Sequence, residues 1–134
     1  MLLADDHPTN RKVVEMILAG AGVQITAVEN GVEAVAAFRM GGFDLVLMDM
    51  QMPLMDGLEA TRQLRAEEVQ AGAPRTPVIM LTANALREHV AESLSAGADA
   101  HLAKPIRPAA LLAAVDEAIR SAEPARPQRR ARRP

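Results

Sequence analysis

Short apolar runs alternate along this chain with longer stretches in which apolar residues recur every three or four positions. The short runs are typical of buried strands, and the longer stretches are typical of helices with one apolar face. Strands are predicted at 1–4, 23–28, 43–48, 77–81 and 100–103, and helices at 8–21, between Asn30 and Gly41, at about 58–69, at about 86–95 and at 108–119. Five strands alternating with five helices predict one α/β domain, a parallel sheet with helices on both faces.

Polar residues stand where four of these strands end. Asp5 and Asp6 follow the first strand, Asp49 the third, Thr82 the fourth and Lys104 the fifth. Ligands of such sheets bind beyond the carboxyl ends of the strands. If the first and third strands are neighbours, the three carboxylates converge, and either a cation or a proton is needed to offset the repulsion between them.

The residue types at this edge indicate magnesium-dependent phosphoryl chemistry. Asp6 and Asp49 are candidate direct ligands of Mg²⁺, and Asp5 is a candidate ligand either directly or through water. A carboxylate such as Asp49 is also a nucleophile toward phosphorus and gives an aspartyl phosphate. Lys104 and the Thr82 hydroxyl are suited to contact the phosphoryl oxygens.

Each of these residues, taken alone, also has a structural explanation. Asp5 or Asp6 could cap the following helix, and Asp49 could belong to a turn. Thr82 could be a loop hydroxyl, and Lys104 a solvated surface lysine. Only the coherent set favours the functional interpretation.

Several other side chains could bind a metal or react, but the sequence gives them no functional role. His7 and His89 are expected to be exposed. The methionine cluster around the third strand is expected to pack rather than to bind a soft metal, since the chain has no cysteine. Its members are Met48, Met50, Met52 and Met55.

Composition and charge narrow the class of protein. The chain has 134 residues and no apolar run of the length that a membrane span requires, so a soluble cytoplasmic protein without membrane contact is expected. All 17 acidic residues lie in 1–123 with 10 of the 15 basic ones, which gives that part a net charge of −7. Residues 122–134 are rich in Pro and Arg and are expected to form a disordered tail after a domain at 1–121.

Four sequence motifs, in this order, resemble the receiver domain of two-component response regulators. The resemblance covers about residues 1–121. The amino-acid sequence around Asp5 and Thr82 is most similar to that of receivers in hybrid sensor histidine kinases. The motifs are Leu2-Leu3-Ala4-Asp5-Asp6, Val46 to Pro53 with Met55-Asp56-Gly57, Pro77 to Ala83, and Ala103-Lys104-Pro105. The resemblance implies a flavodoxin-like (βα)5 fold with strand order 2-1-3-4-5.

The resemblance also implies a role for each site residue. Asp49 would accept a phosphoryl group from a histidine kinase or a histidine phosphotransfer protein. Asp6, Asp49 and the backbone carbonyl of Gln51 would bind Mg²⁺, with Asp5 helping through water. Thr82 would move toward the phosphoryl group and Lys104 would pair with it.

Phosphorylation is implied to shift the face made by the fourth helix, fifth strand and fifth helix. The Lys104–Pro105 peptide bond is expected to be cis. The family's switch position, which is usually aromatic, is His101 here, and a role as a merely exposed polar residue is an equal alternative.

The chain would catalyse only its own phosphorylation and dephosphorylation, as the C-terminal receiver of a hybrid histidine kinase or as a single-domain response regulator.

Two other functions compete with this one. A magnesium-dependent phosphatase with an aspartyl nucleophile, of the haloacid-dehalogenase type, requires a second acid two residues after the nucleophile, and that residue is Gln51. A nucleic-acid binder would use the arginine tail, but the tail has no aromatic residue for base stacking, so nucleic acid is an unlikely partner.

Overall fold

The computed structural model describes residues 1–83 and 87–122. Five helices alternate with five strands, as the sequence predicts. The strands are β1 (Leu2–Ala4), β2 (Thr26–Val28), β3 (Val46–Asp49), β4 (Val78–Thr82) and β5 (Ala100–Ala103). The helices are α1 (Pro8–Gly20), α2 (Gly31–Arg39), α3 (Gly57–Ala71), α4 (Arg87–Ala96) and α5 (Pro108–Ala122).

All strand pairings are parallel, and the strand order is β2-β1-β3-β4-β5. This confirms the α/β class and the order 2-1-3-4-5. The winding direction changes at β1, which places β1 beside β3 and brings the ends of those two strands together.

Alternation along the strands divides the core into two layers. Leu2, Val46 and Val78 pack with α2 and α3 on one face of the sheet. Leu3, Leu47 and Ile79 pack with α1 and α5 on the other face. Every residue of β3 is buried, because helices cover both faces of the sheet at its centre.

Local signals act at three helix starts. Pro8 occupies the first turn of α1, where its missing N–H group costs nothing. Asn30 caps α2, its side chain accepting a hydrogen bond from the Glu33 backbone N–H at 2.8 Å. Asp56 caps α3 in the same way through the Glu59 N–H.

Three strands, β1, β2 and β3, are shorter than predicted, and β3 and β4 each end one residue later than predicted. Residues 23–25 lie outside β2, although Val23 and Ile25 pack against the core. Only the three residues of β1 are available for pairing, so β2 is limited to Thr26–Val28. Phe43 likewise packs against the core ahead of β3 without joining the sheet.

A polar network fastens the amino end of β4 to α3. Arg65 donates hydrogen bonds to the carbonyl oxygens of Gly97 (2.9 Å) and Thr76 (2.7 Å). Its guanidinium also pairs with Glu68 at 2.9 Å and with Asp99 at 2.7 Å. Glu68 is buried, and its other oxygen accepts from the Thr76 N–H, so both partners of the buried charge pair are satisfied.

Two predicted segments lie partly or wholly outside the described residues. The expected start of the fourth helix at about residue 86 falls there, and α4 is described from Arg87. The predicted tail also falls there beyond Ala122, which still belongs to α5. Within the described parts of the chain, no helix is long and apolar enough to cross a membrane.

Candidate functional site

Three carboxylates meet at the carboxyl ends of β1 and β3. Asp5 and Asp6 directly follow β1, and Asp49 is the last residue of β3, which pairs with β1. One oxygen from each lies within 4.8 Å of the others. Asp5 and Asp49 are buried and Asp6 is half-buried. The sheet therefore brings together the three acids that the sequence placed at neighbouring strand ends.

Lys104 supplies a positive charge to two of these acids. Its ammonium nitrogen lies 3.1 Å from Asp49 Oδ1 and 3.4 Å from Asp5 Oδ2. The lysine follows β5, and its backbone N–H donates to the Thr82 carbonyl oxygen at 2.7 Å. Thr82, the buried end of β4, thereby fixes where the lysine leaves the sheet.

Burial and neighbouring charge disfavour the ionised form of Asp49. Burial raises the pKa of the Asp49 carboxyl from 3.8 to about 6, and the negative charge of Asp5 adds to that shift. The Lys104 ammonium and the Gln51 backbone N–H, at 3.5 Å, act against it and lower the pKa. A further cation at this point would favour the charged carboxylate.

The oxygens of Asp5 face two ways. Oδ1 accepts a hydrogen bond from the His7 N–H at 2.9 Å, which stabilises the turn into α1. Oδ2 points to Lys104 without the geometry of a hydrogen bond. Oδ1 therefore holds the turn ahead of α1 but does not cap the helix, because the N-cap residue is His7 and no side-chain cap hydrogen bond is formed there. The prediction that Asp5 could cap the following helix is wrong.

Two buried carboxylate oxygens lack a hydrogen-bond donor among the described residues. They are Asp5 Oδ2 and Asp6 Oδ1. A buried polar atom without a partner is rare in folded proteins and calls for an unseen water or ion. Oxygen ligands from three carboxylates are the donors that a hard divalent cation prefers, so these residues fit such an ion.

A small open cleft of about 130 Å³ adjoins Asp49. It joins the strand ends to α4 and leaves room for a small group next to the Asp49 carboxylate. Its lining residues are His7, Asp49, Met50, Gln51, Thr82, Ala83, His89 and Lys104.

Gly57 lets α3 begin directly against Asp49. Its N–H donates to the Met50 carbonyl oxygen at 2.9 Å. A Cβ at this position would lie only 2.1 Å from the carbonyl oxygen of Asp49, closer than any real contact. Glycine at 57 is therefore a requirement of the packing that holds the loop after β3.

The peptide bond before Pro105 agrees with the sequence prediction, whereas one of three histidines does not. The Lys104–Pro105 peptide bond is cis, as the resemblance implies. His101 is exposed on β5, and His7 is exposed as expected. The expectation that His89 is exposed is wrong: the residue is half-buried, its Nδ1 atom is buried, and it is one of the residues that line the cleft.

The methionines around β3 pack as predicted. Met48 and Met50 are buried, and Met52 and Met55 pack against the same core layer. Sequence reasoning missed Arg11, whose guanidinium donates to the Asp5 carbonyl oxygen at 2.7 Å and lies 3.9 Å from Glu29. Its position six residues after Asp5, on the first helix, was the available signal.

Comparison with known proteins agrees with this geometry. The family described as response regulator receiver domain matches residues 1–116. The sensor protein GacS of Pseudomonas syringae pv. syringae is 42% identical over 106 residues, which are 79% of this chain and 12% of GacS. The chain thus spans about an eighth of that relative's length.

Two solved structures illustrate the similarity in fold. One is the receiver domain of sensor histidine kinase PA1611 from Pseudomonas aeruginosa PAO1, with a magnesium ion coordinated in its active-site cleft. It is 39% identical, has a TM-score of 0.79, and the alignment covers 88% of this chain and 94% of that one.

The other structure is the Saccharomyces cerevisiae Ssk1 receiver domain in complex with the histidine phosphotransfer protein Ypd1. It is 30% identical with a TM-score of 0.83, over 87% of this chain and 86% of that one. With the family match over most of the chain and the acidic cleft at the expected strand ends, this chain belongs to the response regulator receiver domain family.

Proposed function

We propose that Asp49 is the phosphoryl acceptor of a two-component or phosphorelay pathway. The convergence of Asp5, Asp6 and Asp49 within 4.8 Å, with Lys104 Nζ 3.1 Å from Asp49, is the observation that carries the proposal. In the transfer, an oxygen of Asp49 forms a bond to phosphorus while the bond from phosphorus to the donor's histidine nitrogen breaks.

Mg²⁺ is the proposed metal. Asp6 and Asp49, with the backbone carbonyl of Gln51, would hold it, and Asp5 would contribute through water. The buried oxygens Asp5 Oδ2 and Asp6 Oδ1, which accept no hydrogen bond from the described residues, support this set, as does the magnesium ion in the PA1611 receiver. A bound Mg²⁺ supplies charge that offsets repulsion between the Asp49 carboxylate and the phosphoryl oxygens.

Two further side chains are proposed to act on the phosphoryl group. The Lys104 ammonium leaves its pairing with Asp49 to contact a phosphoryl oxygen, since phosphorylation removes that carboxylate's negative charge. Thr82 lines the same cleft, and its hydroxyl would donate a hydrogen bond to another phosphoryl oxygen. Both contacts stabilise charge that develops during transfer.

A phosphohistidine protein is the proposed donor, either a histidine kinase or a histidine phosphotransfer protein. The Ssk1 receiver that binds Ypd1 supports this assignment. The relatives that contain such a receiver are sensor kinases, so the chain is proposed to serve in a hybrid histidine kinase or as a single-domain response regulator.

The output is proposed to be a shift in the face made by α4, β5 and α5. The Thr82 carbonyl oxygen accepts a hydrogen bond from the Lys104 N–H, which connects the end of β4 at the cleft to the end of β5. His101 is exposed on the same strand and is the proposed switch position. Phosphorylation would bias a pre-existing equilibrium of this face.

Phosphorylation by acetyl phosphate with Mg²⁺ tests the proposal. Intact-protein mass spectrometry should show the addition of one phosphoryl group to the wild-type chain, and none after chelation of the metal. Asp49→Asn should abolish the adduct, whereas Asp44→Asn, an exposed acid with 71% side-chain exposure, should retain it. An adduct that persists in Asp49→Asn would contradict the assignment.

A further inference from the structure

Arg11 is a half-buried cation in contact with the acidic loop after β1, and the proposed function leaves it without a role. It lies on α1, and its side chain is only 18% exposed. Its guanidinium nitrogen Nη1 donates a hydrogen bond to the backbone carbonyl oxygen of Asp5 at 2.7 Å. Because hydrogen bonds from a charged donor are stronger than neutral ones, this contact is expected to keep its geometry.

The oxygen that Arg11 contacts belongs to the peptide group between Asp5 and Asp6. The orientation of this peptide group affects the direction in which both acidic side chains leave the backbone. On the other side of Asp5, its N–H donates to the Val28 carbonyl oxygen at 3.1 Å. The backbone of Asp5 is thus held at its N–H by the end of β2 and at its carbonyl oxygen by the guanidinium of Arg11.

The side chain of Asp6 has fewer contacts of its own than that of Asp5. Oδ1 of Asp5 accepts a hydrogen bond from the His7 N–H at 2.9 Å, and its Oδ2 lies 3.4 Å from Lys104 Nζ. Asp6 Oδ1 is buried but accepts no hydrogen bond from the described residues. The position of the Asp6 carboxylate therefore depends strongly on the peptide group that precedes it.

The pairing of Arg11 with Glu29 does not account for this arrangement. Nη2 of Arg11 lies 3.9 Å from Glu29 Oε2, and the Glu29 side chain is 67% exposed. Exposed ion pairs at such a distance contribute little to stability. The shorter contact of Arg11 is the one with the Asp5 carbonyl oxygen, so the main effect of the guanidinium is expected at the acidic loop.

We propose that Arg11 is a positioning residue for the magnesium ligands, which holds the Asp5–Asp6 peptide group so that both carboxylates stay close to Asp49. This inference rests on the proposed function, because it takes Mg²⁺ as the ion that these acids bind. One oxygen from each acid lies within 4.8 Å of the others, and carboxylates gathered this closely repel one another. A backbone that is fixed before the ion arrives lowers the free-energy cost of gathering them and so raises the affinity for the ion.

Isothermal titration calorimetry with MgCl₂ on the unphosphorylated protein tests the inference. Arg11→Met removes the hydrogen-bond donor from a helix position that Met suits, and it should weaken Mg²⁺ binding roughly tenfold. Arg11→Lys, whose ammonium is still a donor, should recover part of the affinity. The sign of the effect separates positioning from simple electrostatics, because loss of a positive charge would by itself strengthen the binding of a cation. Equal or tighter binding by Arg11→Met would overturn the inference.

Arg39→Met is the matched control. Arg39 lies at the end of α2, is 57% exposed and pairs with Glu67, so this variant loses the same charge and should bind Mg²⁺ as the wild type does. Urea unfolding gives the stability of each variant, and the titrations are made where all of them are folded. A loss of stability in Arg11→Met with unchanged affinity would overturn the inference and leave the proposed function intact. Failure of the wild type to bind Mg²⁺ would refute the metal site of the proposed function itself.

Nuclear magnetic resonance tests the same coupling in the wild-type chain. If the hydrogen bond from Arg11 to Asp5 favours Mg²⁺ binding, Mg²⁺ must favour that bond to the same extent, because linkage between two equilibria is reciprocal. The guanidinium protons of Arg11 should therefore exchange with water more slowly when MgCl₂ is added, whereas those of Arg39 should be unaffected. Exchange at Arg11 that Mg²⁺ leaves unchanged would contradict the inference without the use of any variant.

Discussion

The ammonium nitrogen of Lys104 lies 3.1 Å from Oδ1 of Asp49, and the two residues come from non-adjacent strands of the sheet. The lysine also pairs with Asp5, so one cation is shared by two buried acids. This sharing offsets part of the repulsion between the two carboxylates.

Replacing Lys104 with Met should reduce phosphorylation of Asp49 by acetyl phosphate by roughly a hundredfold, because the variant lacks a charge that stabilises the transferring group. The initial rate of phosphoryl incorporation by mass spectrometry measures this. Lys12→Met is the control, since Lys12 is the chain's other lysine and is exposed on α1. An unchanged rate in Lys104→Met would rule out the role.

Replacing Asp6 with Asn should weaken Mg²⁺ binding at least roughly tenfold, because Asp6 Oδ1 is a buried oxygen without a hydrogen-bond donor. Isothermal titration calorimetry with MgCl₂ on the unphosphorylated protein measures the affinity. Asp44→Asn, which removes an exposed charge ahead of β3, should bind Mg²⁺ as the wild type does. Equal affinities for all three proteins would exclude Asp6 as a ligand.

Asp49→Asn should raise the stability of the metal-free protein at pH 7. Burial and Asp5 raise the pKa of Asp49 to about 6, so between pH 4 and 6 the folded protein keeps a proton that the unfolded chain releases. The wild type's free energy of unfolding should therefore fall relative to Asp49→Asn as the pH rises through that range. The difference should reach roughly 1–3 kcal/mol in favour of the variant.

Urea unfolding followed by far-ultraviolet circular dichroism measures this difference, since the chain has no tryptophan or tyrosine. Added Mg²⁺ should reduce the difference by stabilising the ionised carboxylate of the wild type. If the wild type instead became more stable than Asp49→Asn between pH 4 and 6, the effect of burial on Asp49 would have the wrong sign.

Gly57→Ala should destabilise the fold by about 1–3 kcal/mol or more and should also lower phosphorylation. The added Cβ would meet the Asp49 carbonyl oxygen at 2.1 Å, so either α3 or the loop after β3 must move. Gly20→Ala is the control, because nothing lies within 4 Å of its Cβ position in α1. That control should be neutral or stabilising by roughly 0.5–1 kcal/mol in urea unfolding.

The sequence was sufficient to predict the acidic centre of this site. Parallel strands end at one edge of a sheet, so Asp5, Asp6, Asp49 and Lys104 could be assigned to a common edge from their positions after apolar runs. The choice of β1 and β3 as neighbours came from the family resemblance. Side-chain identity and strand order together predicted that these residues converge, as the structure shows.

Features that depend on helix phase or on remote partners could not be predicted. His89 faces the cleft because of the rotation of α4, which the pattern of this short polar helix does not specify. Arg65 and Glu68 have the local i,i+3 spacing of one helix, but the pair between Arg65 and Asp99 joins α3 to the residue before β5, and no local spacing predicts that contact. The length of β2 could not be predicted either, because it is set by pairing with β1.

The two ends of the sheet's strands differ in how completely their charged side chains are paired. At the amino end of β4, Arg65 and Glu68 form a closed set in which each charge has its counterpart. At the carboxyl ends of β1 and β3, Lys104 is shared by Asp5 and Asp49, and Asp6 Oδ1 accepts no hydrogen bond from the residues that the structure describes. A change of charge at the cleft should therefore displace mainly the loops around it. The amino end of β4, where Arg65 and Glu68 are paired, should keep its position.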